Sequence, residues 1–187
     1  MEHKRNRLKD WAMLLGPVLL LVLADQASKW LVRQNLAVGE MWAPIPALAK
    51  IFTITHVQNT GVSFGQFPGL GWVFMVVNLV VLVGILIYYP RISAGQWTLR
   101  LASVLVLAGA LGNWIDRLRT AFLYAGRTGS ILTALPQASV TDFMDFKIWP
   151  VWNLADLCTV TGVILLAWSL WQAERAEMNK ESLSSDV

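Results

Sequence analysis

Charge, cysteine and imidazole are all scarce in this chain. Only 14% of its 187 residues are charged, against 56% hydrophobic, where a soluble domain carries about a quarter charged residues. A water-soluble globular domain is a poor fit to that balance. Cys158 is the one cysteine, so no internal disulfide can form. The two histidines, His3 and His56, lie far apart and make no HxxxH or HExxH pair, which argues against a histidine-based zinc site. The basic residues are thinly spread for a net charge of +3, and no nucleic-acid-binding signature emerges. Internal repeats and low-complexity runs are lacking too.

What the chain has instead is four long apolar runs bracketed by tryptophan and tyrosine, residues that favour the membrane–water interface. They cover about 11–30, 72–89, 97–114 and 152–171, each 18 to 20 residues long, close to the length a helix needs to cross a bilayer core. Breakers separate them: Pro44, Pro46, Pro68 and Gly69 before the second, Pro90 after it, Pro150 before the fourth. The basic stretch before the first run resembles a cleavable secretory signal, but with three further runs behind it the first is expected to stay as a span. The expectation is a single polytopic domain over 1–171 and a polar, frayed cytoplasmic tail over 172–187.

Four spans leave both termini on one side. Lys4, Arg5, Arg7 and Lys9 precede the first, and Arg91 and Arg100 lie around the turn between the second and third. The positive-inside rule then sets both termini in the cytoplasm. Outside lie about 34–67 and 118–150. Within the first, Ile51 to Val57 is rich in β-branched residues and reads as a strand of a small extracytoplasmic sheet. Within the second, Ala125 to Ser139 reads as a loop. The fold class is thus an all-α membrane protein with four transmembrane helices, a small sheet and a loop.

Polar residues gather at the four outer helix ends. Asp25 and Gln26 come late in the first span, and Asn59 and Gly61 lie upstream of the second. Asn113, Asp116 and Arg117 end the third; Asp142 and Asp145 precede the fourth, and Asn153 and Asp156 open it. Spacings of three and four set Asn113, Asp116 and Arg117 on one helix face and Asn153 with Asp156 on another. A charge at mid-membrane costs about 2.5 to 3.5 kcal/mol on insertion scales, so such groups turn toward each other or toward water. Ala108 and Gly112 form a small-xxx-small pair that permits close helix approach. Each residue also has a purely structural reading. Asp116 and Arg117 suit an ion pair, Asp25 and Asn113 suit helix ties, Gly61 suits an Asn-Thr-Gly turn, Asn78 suits an interhelical hydrogen bond and Cys158 suits packing. Asp142 and Asp156 are the pair for which function is the better account. Two carboxylates ~4 Å apart repel by about 4 kcal/mol at an effective dielectric of 20, enough to make them share one proton near neutral pH. One then acts as acid and the other as base, as in aspartic proteases, with no metal, cofactor or serine nucleophile.

Five blocks occur in order: Asp25-Gln26, Asn59-Thr60-Gly61, Gly112 to Arg117, Val140-Thr141-Asp142-Phe143 and Asn153-Leu154-Ala155-Asp156. Together they resemble lipoprotein signal peptidase (signal peptidase II), over about Trp11 to Trp171. The resemblance implies an aspartic endopeptidase of the bacterial inner membrane, its site toward the extracytoplasmic face. Its partners would be diacylglyceryl-modified prolipoproteins, cut just before the lipidated cysteine, and membrane lipids. It implies Asp142 and Asp156 as the catalytic pair, with Asp142 chosen over Asp145 because Val-Thr-Asp-Phe matches the family's block. Asn59, Gly61, Asn113, Arg117, Asn153 and Ala155 would bind substrate or shape the site, supported by Asp25 and Asp116. Leu118 to Ser139 reads as an insertion, and Leu157 stands where the family often has serine. Two other functions fit the acids less well. A metal-dependent transferase would use Asp116, Asp142, Asp145 and Asp156 to hold Mg²⁺. A proton-coupled transporter subunit would favour acids at mid-membrane.

Overall fold

A computed structural model describes residues 7–61 and 71–185. Pro68 and Gly69, and the basic Lys4 and Arg5, lie outside the described residues. Among the described residues five α-helices and three strands follow one another: α1 (Arg7–Asn35), β1 (Met41–Trp42), β2 (Phe52–Asn59), α2 (Gly71–Tyr88), α3 (Trp97–Thr128), α4 (Ile131–Ala134), β3 (Val140–Phe146) and α5 (Leu154–Ser185). Four of them, α1, α2, α3 and α5, are long and apolar enough to cross a membrane. The usual rule of apolar residues inward is reversed on their outer faces. Val76, Val80, Val83 and Ile87 of α2, and Val160, Val163 and Ile164 of α5, are exposed, as suits helices whose solvent is lipid.

α3 is the most buried of the four and packs on each of the others. Small residues make that possible. A Cβ on Gly112 would lie 2.7 Å from Asp25 Oδ2 of α1 and 3.0 Å from Ala155 Cβ of α5, while one on Gly109 would lie 2.8 Å from Thr159 N. The small-xxx-small reading of Ala108 and Gly112 therefore holds, with Gly109 as an unforeseen third member. Leu14, Val18 and Val22 of α1 fill the core against Val104, Leu107 and Ala108 of α3.

The strands form one antiparallel sheet in the order β1-β2-β3. β2 is the strand expected at Ile51 to Val57, starting one residue later and running two residues further. It pairs with β3 through Val57 opposite Asp142 and Asn59 opposite Val140, with an irregularity between Ile54 and Val57. Strand alternation sends Asp142 and Asp145 to opposite faces.

Three expectations are corrected. The third span is the start of a helix that runs on to Thr128 and ends at Gly129, whose φ of 72° gives a left-handed cap. The loop expected from Ala125 to Ser139 is accordingly mostly helical, continuing through α4 and a 3₁₀ turn at Leu135–Gln137. The tail beyond Trp171 is not frayed but helical to Ser185. Its Ala, Glu, Met and Lys residues are good helix formers even without a partner.

Replacing Gly109 by valine should force α3 and α5 apart and destabilise the protein by about 1 to 3 kcal/mol or more. A lowered thermal unfolding temperature of the detergent-solubilised protein checks this.

Candidate active site

At the junction of sheet and bundle, side chains of α1 and α3 enclose one ammonium group. Lys29 is fully buried. Its Nζ pairs with Asp25 Oδ2 at 2.9 Å and Asp116 Oδ2 at 3.3 Å, and donates to Asn113 Oδ1 at 3.0 Å. Two carboxylates and one amide oxygen thus balance its charge. Reading the chain as a sequence did not single out Lys29. A lysine beside the closing Trp30 of a span ordinarily extends toward the headgroups. Its spacing of four from Asp25 was the available signal.

Each acceptor of Lys29 carries the order outward. Asp25 Oδ1 accepts the Ala155 N–H at 2.9 Å, binding α1 to the first turn of α5. Asp116 accepts from Arg33 Nη1 at 3.3 Å and from the Thr141 N–H at 3.1 Å, joining α3, α1 and β3. The expected ion pair of Asp116 with Arg117 does not form. Adjacent helical residues point about 100° apart, and Arg117 Nη2 instead donates to Gly61 O at 2.9 Å. Gly61 is in the turn foreseen for it, its N–H donating to Asn59 Oδ1 at 2.9 Å.

Asn113 hands the network to the two acids. Its Nδ2 donates to Asp156 Oδ1 at 2.8 Å, and its Oδ1 also accepts from Asn153 Nδ2 at 3.2 Å. Asn153 Nδ2 donates to Asp142 Oδ1 at 2.6 Å, while Asn59 Nδ2 donates to Asp142 Oδ2 at 2.9 Å. Asn153 and Asp156 form a capping box at the start of α5. The Asp156 N–H donates to Asn153 Oδ1 at 3.0 Å and the Asn153 N–H donates to Asp156 Oδ2 at 3.2 Å. Each carboxylate oxygen of both acids therefore accepts one hydrogen bond. Asp156 also lies where a helix dipole favours negative charge.

Asp142 and Asp156 line one cavity of about 100 Å³, with Asn59, Asn113 and Arg117 around them. Asp142 is buried, and burial, together with repulsion from Asp156, pushes its carboxyl up to about 7. Asp145 is turned away. It accepts from Thr53, Thr55 and Lys147 on the other face of the sheet, and Lys147 holds its carboxyl below the usual range. Two of the four acids that a metal-dependent transferase would need are thus committed elsewhere: Asp145 to Lys147 and Asp116 to Lys29 and Arg33.

The long stretch between Arg117 and Asp142 returns to where it left. The Thr120 hydroxyl donates to Ser139 O at 3.0 Å and accepts the Ser139 N–H at 2.8 Å. Ser139 Oγ in turn bonds Gln58 Oε1 at 2.7 Å, so β3 starts in register with β2 whatever the stretch's length. Beside Asp156 opens a larger apolar groove of about 540 Å³, walled by Phe146, Trp149, Val151, Trp152, Leu157 and Val160. Leu157, in the serine position, is one of its walls.

A helical membrane protein with two carboxylates facing one cavity at the end of its bundle has the form of a membrane-embedded hydrolase. Residues 17–172 match the family model of signal peptidase (SPase) II. The chain is 39% identical over 158 residues to the lipoprotein signal peptidase of Halothermothrix orenii, covering 84% of this chain and 94% of that one. It is 36% identical over 152 residues to that of Bacillus subtilis, covering 79% and 86%. A bacterial membrane enzyme solved at 2.3 Å by the in meso method superposes with a TM-score of 0.68 at 26% identity, over 84% of this chain and 87% of that one. The chain belongs to the signal peptidase II family, whose members are aspartic-type peptidases.

Replacing Lys29 by methionine keeps the volume but leaves Asp25 and Asp116 buried with too little positive charge. Losing one partner of a buried ion pair costs about 3 to 5 kcal/mol, so the unfolding temperature and the activity should fall together. An unchanged unfolding temperature would show that the ammonium is dispensable.

Proposed function

We propose that this protein removes the signal peptide from diacylglyceryl-modified prolipoproteins, cutting just before the lipidated cysteine, with Asp142 and Asp156 as its catalytic pair. The single observation that carries the reading is the cavity on which these two acids converge, each oxygen held by an amide or a main-chain N–H. Family membership supports the substrate class.

The chemistry needs one acid and one base. Asp142, protonated up to about pH 7, is suited to donate its proton to the scissile carbonyl oxygen and to recover it when the resulting diol collapses, while the proton that Asp156 takes from water passes to the leaving nitrogen. Asp156, at the N-terminus of α5, is suited to draw a proton from the attacking water. Arg117, Asn59 and Asn113 line the cavity with donors for peptide carbonyls. Asn113 and Asn153, already bonded to the acids, also fix their rotamers. The apolar groove beside Asp156 would take an acyl chain, at the depth where lipid holds the substrate. Each buried methylene adds about 0.8 kcal/mol of membrane affinity.

The test is a cleavage assay on a diacylglyceryl precursor in lipid. Asp142→Asn and Asp156→Asn should each reduce kcat at least about 1,000-fold while the protein still inserts, because a shared-proton pair needs both members. Asp145→Asn should cleave normally. Wild-type activity should follow a bell in pH. On its alkaline side activity falls through about 7, as Asp142 loses the proton it must donate; on its acid side the base becomes protonated. The same precursor without lipid, held by its own signal helix, should be cut far more slowly. Equal cleavage of both would indicate a peptidase that reads the helix alone.

The reading also requires the site to face outward, with both termini in the cytoplasm of a bacterial inner membrane. Single cysteines at Val38 and Leu132, both exposed, in a Cys158→Ala background should react with an impermeant thiol reagent from outside. Reaction only after the membrane is opened would invert the orientation and sink the reading.

A further inference from the structure

α2 contributes one amide to the cavity. Its eighteen residues, from Gly71 to Tyr88, carry no charged side chain, and Asn78 is their sole amide. As a sequence feature it suits a tie between helices. Among the described residues, however, no hydrogen bond reaches it, and its side chain lines the cavity that Asp142 and Asp156 line. An amide left without partners in a lipid-embedded wall costs several kcal/mol. The partner that is not in the protein is expected in the cavity's occupant.

Depth indicates which part of the occupant. Asn78 is seven residues into α2, ~10 Å along its axis from Gly71. Its neighbours in the lining are Gly109 and Ala110, about one turn before Asn113 in α3, and Thr159 and Val160, about one turn after Asp156 in α5. All lie on the bilayer side of the acids by ~5 Å. Thr159 has already given its proton to Ala155 O at 3.0 Å. Among the described residues Asn78 is therefore the one amide at this depth of the lining, and it brings both a donor and an acceptor.

We propose that Asn78 is a substrate-positioning residue that hydrogen-bonds the main chain of the signal peptide on the membrane side of the cleaved bond. The proposal rests on the reading that Asp142 and Asp156 cleave a peptide entering from the bilayer. A peptide bond inside a helix is shielded, so cleavage requires the last turn of the signal helix to unwind. Unwinding frees N–H and C=O groups where no water can reach them. An asparagine amide can satisfy both groups of one peptide unit, and it does so only in the unwound, reactive form.

The experiment uses the full-length enzyme in lipid and synthetic diacylglyceryl lipopeptides. In these, each of the peptide links on the signal side of the cleaved bond is replaced in turn by an ester. Asn78→Leu should lower kcat/KM by about 10- to 100-fold, the worth of one or two hydrogen bonds with their desolvated partners. Its unfolding temperature should be unchanged or raised. One ester position should cost the wild type about 10-fold and cost Asn78→Leu nothing. Full activity of Asn78→Leu beside an inactive Asp142→Asn would overturn the proposal and leave the catalytic pair standing. A lowered unfolding temperature, with the same ester penalty in both enzymes, would return Asn78 to a helix tie and also overturn it. Normal cleavage by Asp142→Asn would remove the acid-pair reading, and this proposal with it.

Discussion

A buried lysine ammonium organises this protein. Lys29 is bound by Asp25, Asp116 and Asn113, and through them by α5, β3 and the two acids over the cavity. Such a group in a membrane-embedded bundle is expensive unless every proton is matched. The matching is therefore strict, and strictness gives position. Asp25 cannot serve Lys29 and the first turn of α5 unless α1 and α5 keep one relative height. Asp116 likewise sets where Thr141 lies, and Asp142 is the next residue along β3.

The same economy explains why the acids sit at element boundaries. Asp156 is both a capping residue of α5 and a member of the pair, so the helix start holds one of its carboxylate oxygens while Asn113 holds the other. Asp142 sits on β3, and Asn59 reaches it from the neighbouring strand β2. Sheet and bundle each supply one acid. Hydrogen bonds from Asn113 and Asn153 join the two halves, and the glycines of α3 let α5 come close enough for those bonds to form.

Much of this was legible in the sequence. The four spans follow from apolar runs and aromatic brackets, because bilayer thickness is a constraint on length alone. The gathering of Asp25, Asn59, Asn113, Asp142, Asn153 and Asp156 follows from topology, since successive spans alternate in direction and so bring those ends to one face. Less legible were features set by tertiary partners. Lys29 and Arg33 look like interfacial anchors until Asp116 is placed between them. Arg117 looks like the partner of Asp116 until helix geometry turns it to Gly61. The stretch from Leu118 to Ser139 is rich in glycine and serine in its second half, yet α3 extends well into it. Asn78 has the sequence signature of a helix tie and instead faces the cavity.

The central claim is that the two acids form one unit holding a single proton at neutral pH. Infrared difference spectroscopy of the protein in lipid, with carboxyl bands assigned by Asp142→Asn and Asp156→Asn, measures this directly. One protonated carboxyl band near pH 6 that is lost as pH rises through about 7, and that is absent or displaced in both variants, is the predicted result. Two fully ionised carboxylates at pH 6, each titrating as an ordinary aspartate near 4, would contradict it.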